Sequence, residues 1–311
     1  MILIGANAVT GWLAKRSRNI FRSIGIARYN SPMKPTLAFI GAGRVASALA
    51  IRLHELHYVV TGVFSLRHDS AVRLAGQVGA TAVETYPQAD IVFLAVPDDV
   101  IAEVAAQLVL SDLQLTRAVV HLSGVHDLQA LKMLHTVEIG SFHPLFPFRE
   151  GTRLKGAEGM LVGIEASQEW LRKALVEMAG ALGGNPVVLH EGKKALYHTA
   201  AVMASNYLVT LFDVSWRLMT ETGVPPALAR EALVTLMQGN LDNLREVSPE
   251  QALTGPIARG DTATVQKHLV ALSGRLEETL YRELGRGTVG LAPGLTPDQR
   301  RDLLKLLEIK D

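Results

Sequence analysis

The chain has 311 residues, 48% hydrophobic and 20% charged, which is enough to bury the cores of about two domains and too apolar for a disordered polymer. A formal net charge of +1 offers no electrostatic footprint for nucleic acid. The absence of cysteine excludes disulfides, thiolate nucleophiles and Cys-ligated zinc.

Residues 1–32 carry Lys15, Arg16, Arg18, Arg22 and Arg28 and no acidic residue, so the remainder is mildly acidic. This basic extension reads as a targeting peptide, a flexible arm, or an upstream start with the working chain opening at Met33; the last is preferred. Its apolar run, 1–14, precedes its charges, the reverse of a secretory signal, and is too short to span a bilayer. No other stretch reaches spanning length without charges. The chain is therefore expected to be cytoplasmic, with a small-molecule substrate and no membrane or nucleic-acid partner.

Strands are expected at 37–40, 58–64, 91–96, 118–122 and 138–142, and helices at 45–56, 70–78, 100–109 and 128–134. Strands apolar on both faces, alternating with helices, imply an α/β fold: a Rossmann-type, mostly parallel sheet with helices on both faces. Strands at 159–164 and 186–189, around a helix at 168–182, extend the same sheet. From about residue 193 strand signals vanish, and helices follow at 194–221, 226–245, 262–272 and 275–284. The Gly/Pro-rich stretch 285–297 reads as loosely ordered, ahead of a short helix N-capped by Thr296 with Pro297 at its first position. The division is then an extension, 1–32; a dinucleotide-binding domain, 33–190, with 158–190 as an appended strand-helix-strand; and an all-helical domain, 191–311.

The segment Ile40-Gly41-Ala42-Gly43-Arg44-Val45-Ala46 lies where a buried strand turns into a helix, the context that gives G-x-G-x-x-A its meaning. Gly41 makes the turn, Gly43 lets a diphosphate approach the backbone, and Ala46 keeps helix and strand close. The helix N-terminus offers unpaired N–H groups to the phosphates. NAD binders place an Asp or Glu at the end of the second strand; here Ser65 and Arg67 stand there, suited to a 2′-phosphate, so the expected cofactor is NADP.

Ligands of open α/β sheets sit outside the carboxyl ends of the strands. Val96 and Pro97 bend the chain beside the expected nicotinamide. Asp98 or Asp99 reads as a helix N-cap before it reads as a catalyst. Ser123 suits the nicotinamide carboxamide or the substrate, or else is a turn hydroxyl. His143 orients substrate, transfers a proton, or is structural.

On a helical wheel, His198, Ala201 and Ser205 fall within about 40° of Lys194, with Asn206 at the edge of the stripe. Leu196, Ala200, Met203, Tyr207 and Val214 gather opposite, as an expected core stripe. The polar stripe suits a reduction of C=O or C=N: Lys194 or His198 supplies charge and a proton, and Ser205 and Asn206 fix the substrate. No His pair has ligand spacing with a nearby carboxylate, so no metal is expected.

Taken together, Gly41-Ala42-Gly43, Ala95-Val96-Pro97-Asp98-Asp99, His121-Leu122-Ser123-Gly124, His143-Pro144-Leu145, Tyr197-His198, Ala204-Ser205-Asn206-Tyr207-Leu208 and the segment 253–261 resemble bacterial proteins that join a Rossmann-like domain to a C-terminal helical domain of unknown function. The resemblance covers about residues 34–285. More distantly, the chain is similar to ketopantoate reductases, pyrroline-5-carboxylate reductases and the 6-phosphogluconate dehydrogenase-like group. The resemblance implies NADP-dependent oxidoreduction and a homodimer formed through the helical domain. In ketopantoate reductases the matching helix carries a Lys and, one turn on, an Asn, whereas this chain has Lys194 and His198; its lead-in, His190-Glu191-Gly192-Lys193, also departs from the dehydrogenases' glycine-rich pattern. Arg259 suits a carboxylate substrate, and Asp261 is either part of the same wall or an N-cap. The expected function is NADP(H)-dependent reduction of a small carbonyl (2-oxo acid-like) or imine; the alternative is a non-catalytic NADP(H)-binding regulatory protein.

Overall fold

Every residue of β1 (Leu37–Ile40), β4 (Ile91–Leu94) and β5 (Ala118–His121) is buried, as strands covered on both faces must be. In the computed structural model, which describes residues 34–111, 113–155, 158–190 and 192–309, these strands are the centre of an eight-stranded sheet. The basic extension and its three readings lie outside the described residues.

With β2 (Val60–Phe64), β3 (Thr81–Ala82), β6 (Glu138–Leu145), β7 (Leu161–Ala166) and β8 (Asn185–Val188), the sheet order is β3-β2-β1-β4-β5-β6-β7-β8. All neighbours are parallel except β6 and β7. Successive side chains point to opposite faces, so Phe39 and Phe93 join one core and Ile40 and Leu94 the other. The first core is covered by α1 (Arg44–Glu55), α2 (His68–Val78) and α4 (Glu169–Ala181); the second by α3 (Ile101–Val109) and a 3₁₀ turn at Leu128–Leu131.

Differences from expectation are local. The 128–134 helix is only that 3₁₀ turn. Strand β6 continues past Phe142 to Leu145, because β7 pairs along it as far as Leu145↔Leu161.

The described chain divides into two compact units, one up to Val202 and one from Met203, so the boundary falls within α5 (Lys194–Glu221). The second unit continues with α6 (Pro226–Glu246), α7 (Pro249–Ala252), α8 (Thr262–Leu272), α9 (Leu276–Leu291) and α10 (Pro297–Leu306). Its core gathers Ile257, Val265, Leu269, Val289, Leu303 and Leu307. The stretch expected to be loose is instead the ordered end of α9. A Cβ at Gly285 would lie 2.9 Å from Leu307, so this glycine makes room for a core leucine rather than loosening the chain. Arg300 then donates to the Val289 and Ala292 carbonyls, closing the helix end. The capping of α10 by Thr296 is as expected, with Gln299 completing a reciprocal pair.

The α5 wheel requires a correction. Lys194 is its only buried residue, while Leu196, Met203 and Tyr207, from the expected core stripe, are 69%, 60% and 55% exposed. On the polar stripe Lys194 is buried, His198 and Ala201 are half-buried and Ser205 is exposed, so burial follows position along the helix rather than the two faces of the wheel. Among the described residues no helix is long and apolar enough to cross a membrane.

Candidate functional site

The turn after β1 is built as its glycines require. Gly41 has φ +105°, and a Cβ there would lie 2.2 Å from the Ala95 carbonyl oxygen at the end of β4. Only glycine allows that approach. Gly43 occupies the N-cap of α1 without a side-chain cap, and a Cβ there would meet nothing within 4 Å. The helix N-terminus therefore opens onto free space. A cleft of about 540 Å³ extends from it, lined by Gly43, Arg44, Ser47 and Arg67 among others. Neither Arg44 nor Arg67 has a carboxylate partner among the described residues. Ala42 and Val45 pack on the first core. Open backbone, a helix N-terminus and unpaired guanidinium groups together fit a dinucleotide diphosphate bearing a further phosphate. Ser65 is half-buried at the end of β2, and Arg67 is the exposed N-cap residue of α2.

At the end of β4, Val96 packs on the second core and Pro97 is exposed. Pro97, not an aspartate, is the N-cap of the 3₁₀ turn Asp98–Val100, and no side chain caps it. Asp98 instead acts through its charge, which favours protonation of His143.

At the end of β5, His121 is fully buried. Its Nδ1 accepts from the Ser123 amide at 3.2 Å, and its Nε2 lies 3.2 Å from the Asp127 carbonyl. Burial first, then the Lys194 charge, lowers its pKa to about 3, so it is neutral and structural. The Ser123 hydroxyl accepts from the amides of Val125 and His126, the turn role weighed for it.

His143 sits within β6 opposite Gly163. Its Nδ1 lies 3.2 Å from the Tyr197 hydroxyl, and its ring centroid is 5.6 Å from that of His198. Both imidazoles press on Gly124: a Cβ there would lie 2.4 Å from His198 Nδ1 and 2.7 Å from His143 Nε2. Burial, then His198 and Lys194, lowers the His143 pKa to about 4. Burial raises that of Tyr197 to about 12, against a backbone hydrogen bond from Gly163. The Nδ1 of His198 is enclosed and has no hydrogen-bond partner among the described residues.

Lys194, expected to supply charge and a proton from the polar stripe, is 1% exposed. Its ammonium donates to Glu165 at 2.8 Å and to the Ser141 hydroxyl. Ser141 and Glu165 are register partners across β6 and β7, so the antiparallel pairing itself builds the receptacle. Burial lowers the Lys194 pKa and Glu165 opposes the shift. Ser205 and Asn206 belong to the second unit, where both are exposed. Asp261 is the N-cap of α8, accepting from the Thr264 amide at 3.0 Å, and Arg259 is exposed.

Ser141 and Glu165 were given no role from sequence, and Tyr197 and Gly124 entered only as members of the motifs Tyr197-His198 and His121-Leu122-Ser123-Gly124. The available signals were a carboxylate inside the apolar run Val162-Gly163-Ile164-Glu165 and a phenol adjoining His198 in the same turn of helix.

Comparison with known proteins assigns the two halves of the chain to known types of segment. Residues 36–123 match the family model described as NADP oxidoreductase, coenzyme F420-dependent, and residues 160–288 match a domain of unknown function, DUF2520. NADP, the cofactor expected from sequence, is thus the dinucleotide named in that family description. No curated protein matches the chain. Among solved structures, protein BF3122 of Bacteroides fragilis superposes with a TM-score of 0.70 at 24% identity, over 83% of this chain and 98% of that one. A pyrroline-5-carboxylate reductase from Streptococcus pyogenes shares the fold, with a TM-score of 0.60 at 15% identity, over 88% of this chain and 98% of its own. Protein TM1727 of Thermotoga maritima superposes with a TM-score of 0.69 at 30% identity, over 83% of this chain and 99% of the other. The chain therefore belongs to the same family as TM1727, and in it a segment of the NADP oxidoreductase type precedes a DUF2520 domain.

Proposed function

We propose that the chain is an NADP(H)-dependent oxidoreductase that reduces a small carbonyl, 2-oxo-acid-like, or an imine. The observation that carries this reading is the meeting of His143 and His198 over Gly124, beside the carboxyl end of β5 and in the same unit as the Gly41–Arg44 turn. In open α/β sheets that edge is where a dinucleotide and its substrate meet. Bound NADPH supplies the hydride.

The remaining chemistry falls to the chain. Reduction leaves an oxygen or nitrogen that must be stabilised and protonated. Tyr197 stays a phenol at neutral pH and donates to His143 Nδ1, which leaves the imidazole proton on Nε2, the atom facing Gly124. Burial keeps that imidazole neutral, so it acts as a hydrogen-bond donor that polarises the substrate. His198, adjoining it, is the second proton carrier. Lys194 is a positioning residue: paired with Glu165, it ties the start of α5 to β6 and β7 and so places Tyr197 and His198. Met203 and Tyr207 of α5 and Val234 and Leu241 of α6, all exposed and all in the second unit, serve as a homodimer face.

Calorimetry with NADPH and NADH, followed by NADPH-consumption screening against 2-oxo acids and cyclic imines, tests this. NADPH is expected to bind more tightly than NADH, and at least one compound to be reduced. His143→Gln and Gly124→Ala should each lower turnover by roughly a hundredfold or more while leaving NADPH affinity nearly unchanged. Tight NADPH binding without turnover on any compound would instead favour a redox-linked regulatory protein.

A further inference from the structure

The cleft beside α1 holds more positive charge than a diphosphate requires. Besides Arg44 and Arg67 it is lined by Arg73 of α2 and by Arg153, with Glu150 the only carboxylate among its described lining residues. Arg73 donates to the Ser70 hydroxyl, and Arg153 has no side-chain partner among the described residues. Guanidinium groups sharing one cleft repel one another unless an anion joins them, and the α1 N-terminus already serves one phosphate group.

Arg153 comes from a distant part of the chain. It lies in the connection between β6 and β7, and β1, β4 and β5 stand between β2 and β6 in the sheet. That connection is built rather than loose. The Thr152 hydroxyl accepts from the Arg149 amide at 2.8 Å and donates to the Arg149 carbonyl at 2.7 Å, while Gly151 takes φ +76° to close the turn. The next residue, Leu154, is 1% exposed and packs in the core shared with α1 and α2. A buried leucine on one side and a closed turn on the other fix where the arginine emerges.

We propose that Arg153, carried by this strap, joins Arg73 in binding the 2′-phosphate of NADP, so that a segment between β6 and β7 helps select NADP over NAD. The inference rests on the chain binding NADP. A planar guanidinium matches a phosphate in a two-pronged manner, and the adenosine of NAD offers only a hydroxyl at that position.

Fluorescence titration of NADPH and NADH against the purified full chain tests the assignment. Arg153→Ala should raise the NADPH dissociation constant about ten- to a hundredfold and change that of NADH less than about twofold. Arg153→Lys, which keeps the charge but loses the fork, should fall between. Equal losses for both dinucleotides would place Arg153 on the shared diphosphate or in the fold, and overturn the proposal. Unchanged NADPH affinity would overturn it as well. Should Arg153→Ala lower the melting temperature, the Lys variant decides on the same two ligands. A wild-type chain that binds neither dinucleotide would refute the cofactor reading itself, a result distinct from either of these.

Discussion

Replacing Lys194 by methionine should destabilise the protein by about 3–5 kcal/mol. The estimate follows from the Lys194–Glu165 separation of 2.8 Å and from their near-complete burial. At an effective dielectric of about 20, two unit charges at that distance attract by about 6 kcal/mol. Desolvating the two ions opposes this by several kcal/mol each, so the intact pair adds little net stability. Methionine preserves most of the volume and removes the attraction, but Glu165 remains buried with its charge uncompensated. Urea unfolding followed by circular dichroism measures the loss. The double variant Lys194→Met, Glu165→Leu removes both charges and should recover most of it, ending within about 1–2 kcal/mol of the wild type. A single variant within about 1 kcal/mol of wild type would show the pair to be solvated, and a double variant no better than the single one would show that Glu165 is not the partner that matters.

Acid should destabilise the fold through His121 and His143. Both have pKa values depressed below the unfolded value near 6.5, to about 3 and about 4. The unfolded chain therefore takes up protons first. Their contribution is complete above about pH 6.5 and is lost as the pH falls toward 4 and 3, on the order of several kcal/mol in all. The urea midpoint should drop sharply between pH 7 and 4.5, and His121→Gln should flatten the slope; an unchanged midpoint would contradict the assigned burial. The exposed Met203, Tyr207, Val234 and Leu241 of the second unit should make the chain a dimer at micromolar concentration in sedimentation equilibrium, with Leu241→Glu shifting it to monomer. A wild-type monomer would refute the dimer face.

The parts of the fold that could be read in advance are those whose cause is local. Four consecutive buried residues and a Gly-Ala-Gly turn act within a few residues of themselves, so the first βα unit was legible to within one residue at each end of its helix. The surroundings of Lys194 were not. A wheel shows which residues share a face, but the choice between core and solvent was made by Ser141 and Glu165, brought into register by one antiparallel pairing. Likewise 285–297 looked loose because its glycines were taken as flexible. The space freed at Gly285 is filled by Leu307, which the return of α10 brings back to it.

His143 belongs to a strand with neighbours on both sides, β5 and β7, rather than to a surface loop. Its ordering is therefore settled when the sheet forms, and substrate arrival need not freeze a mobile donor. Such a donor disappears only with the sheet. Loss of turnover on heating should accordingly trace the same curve as loss of ellipticity, with no cooler phase in which the protein is intact and idle.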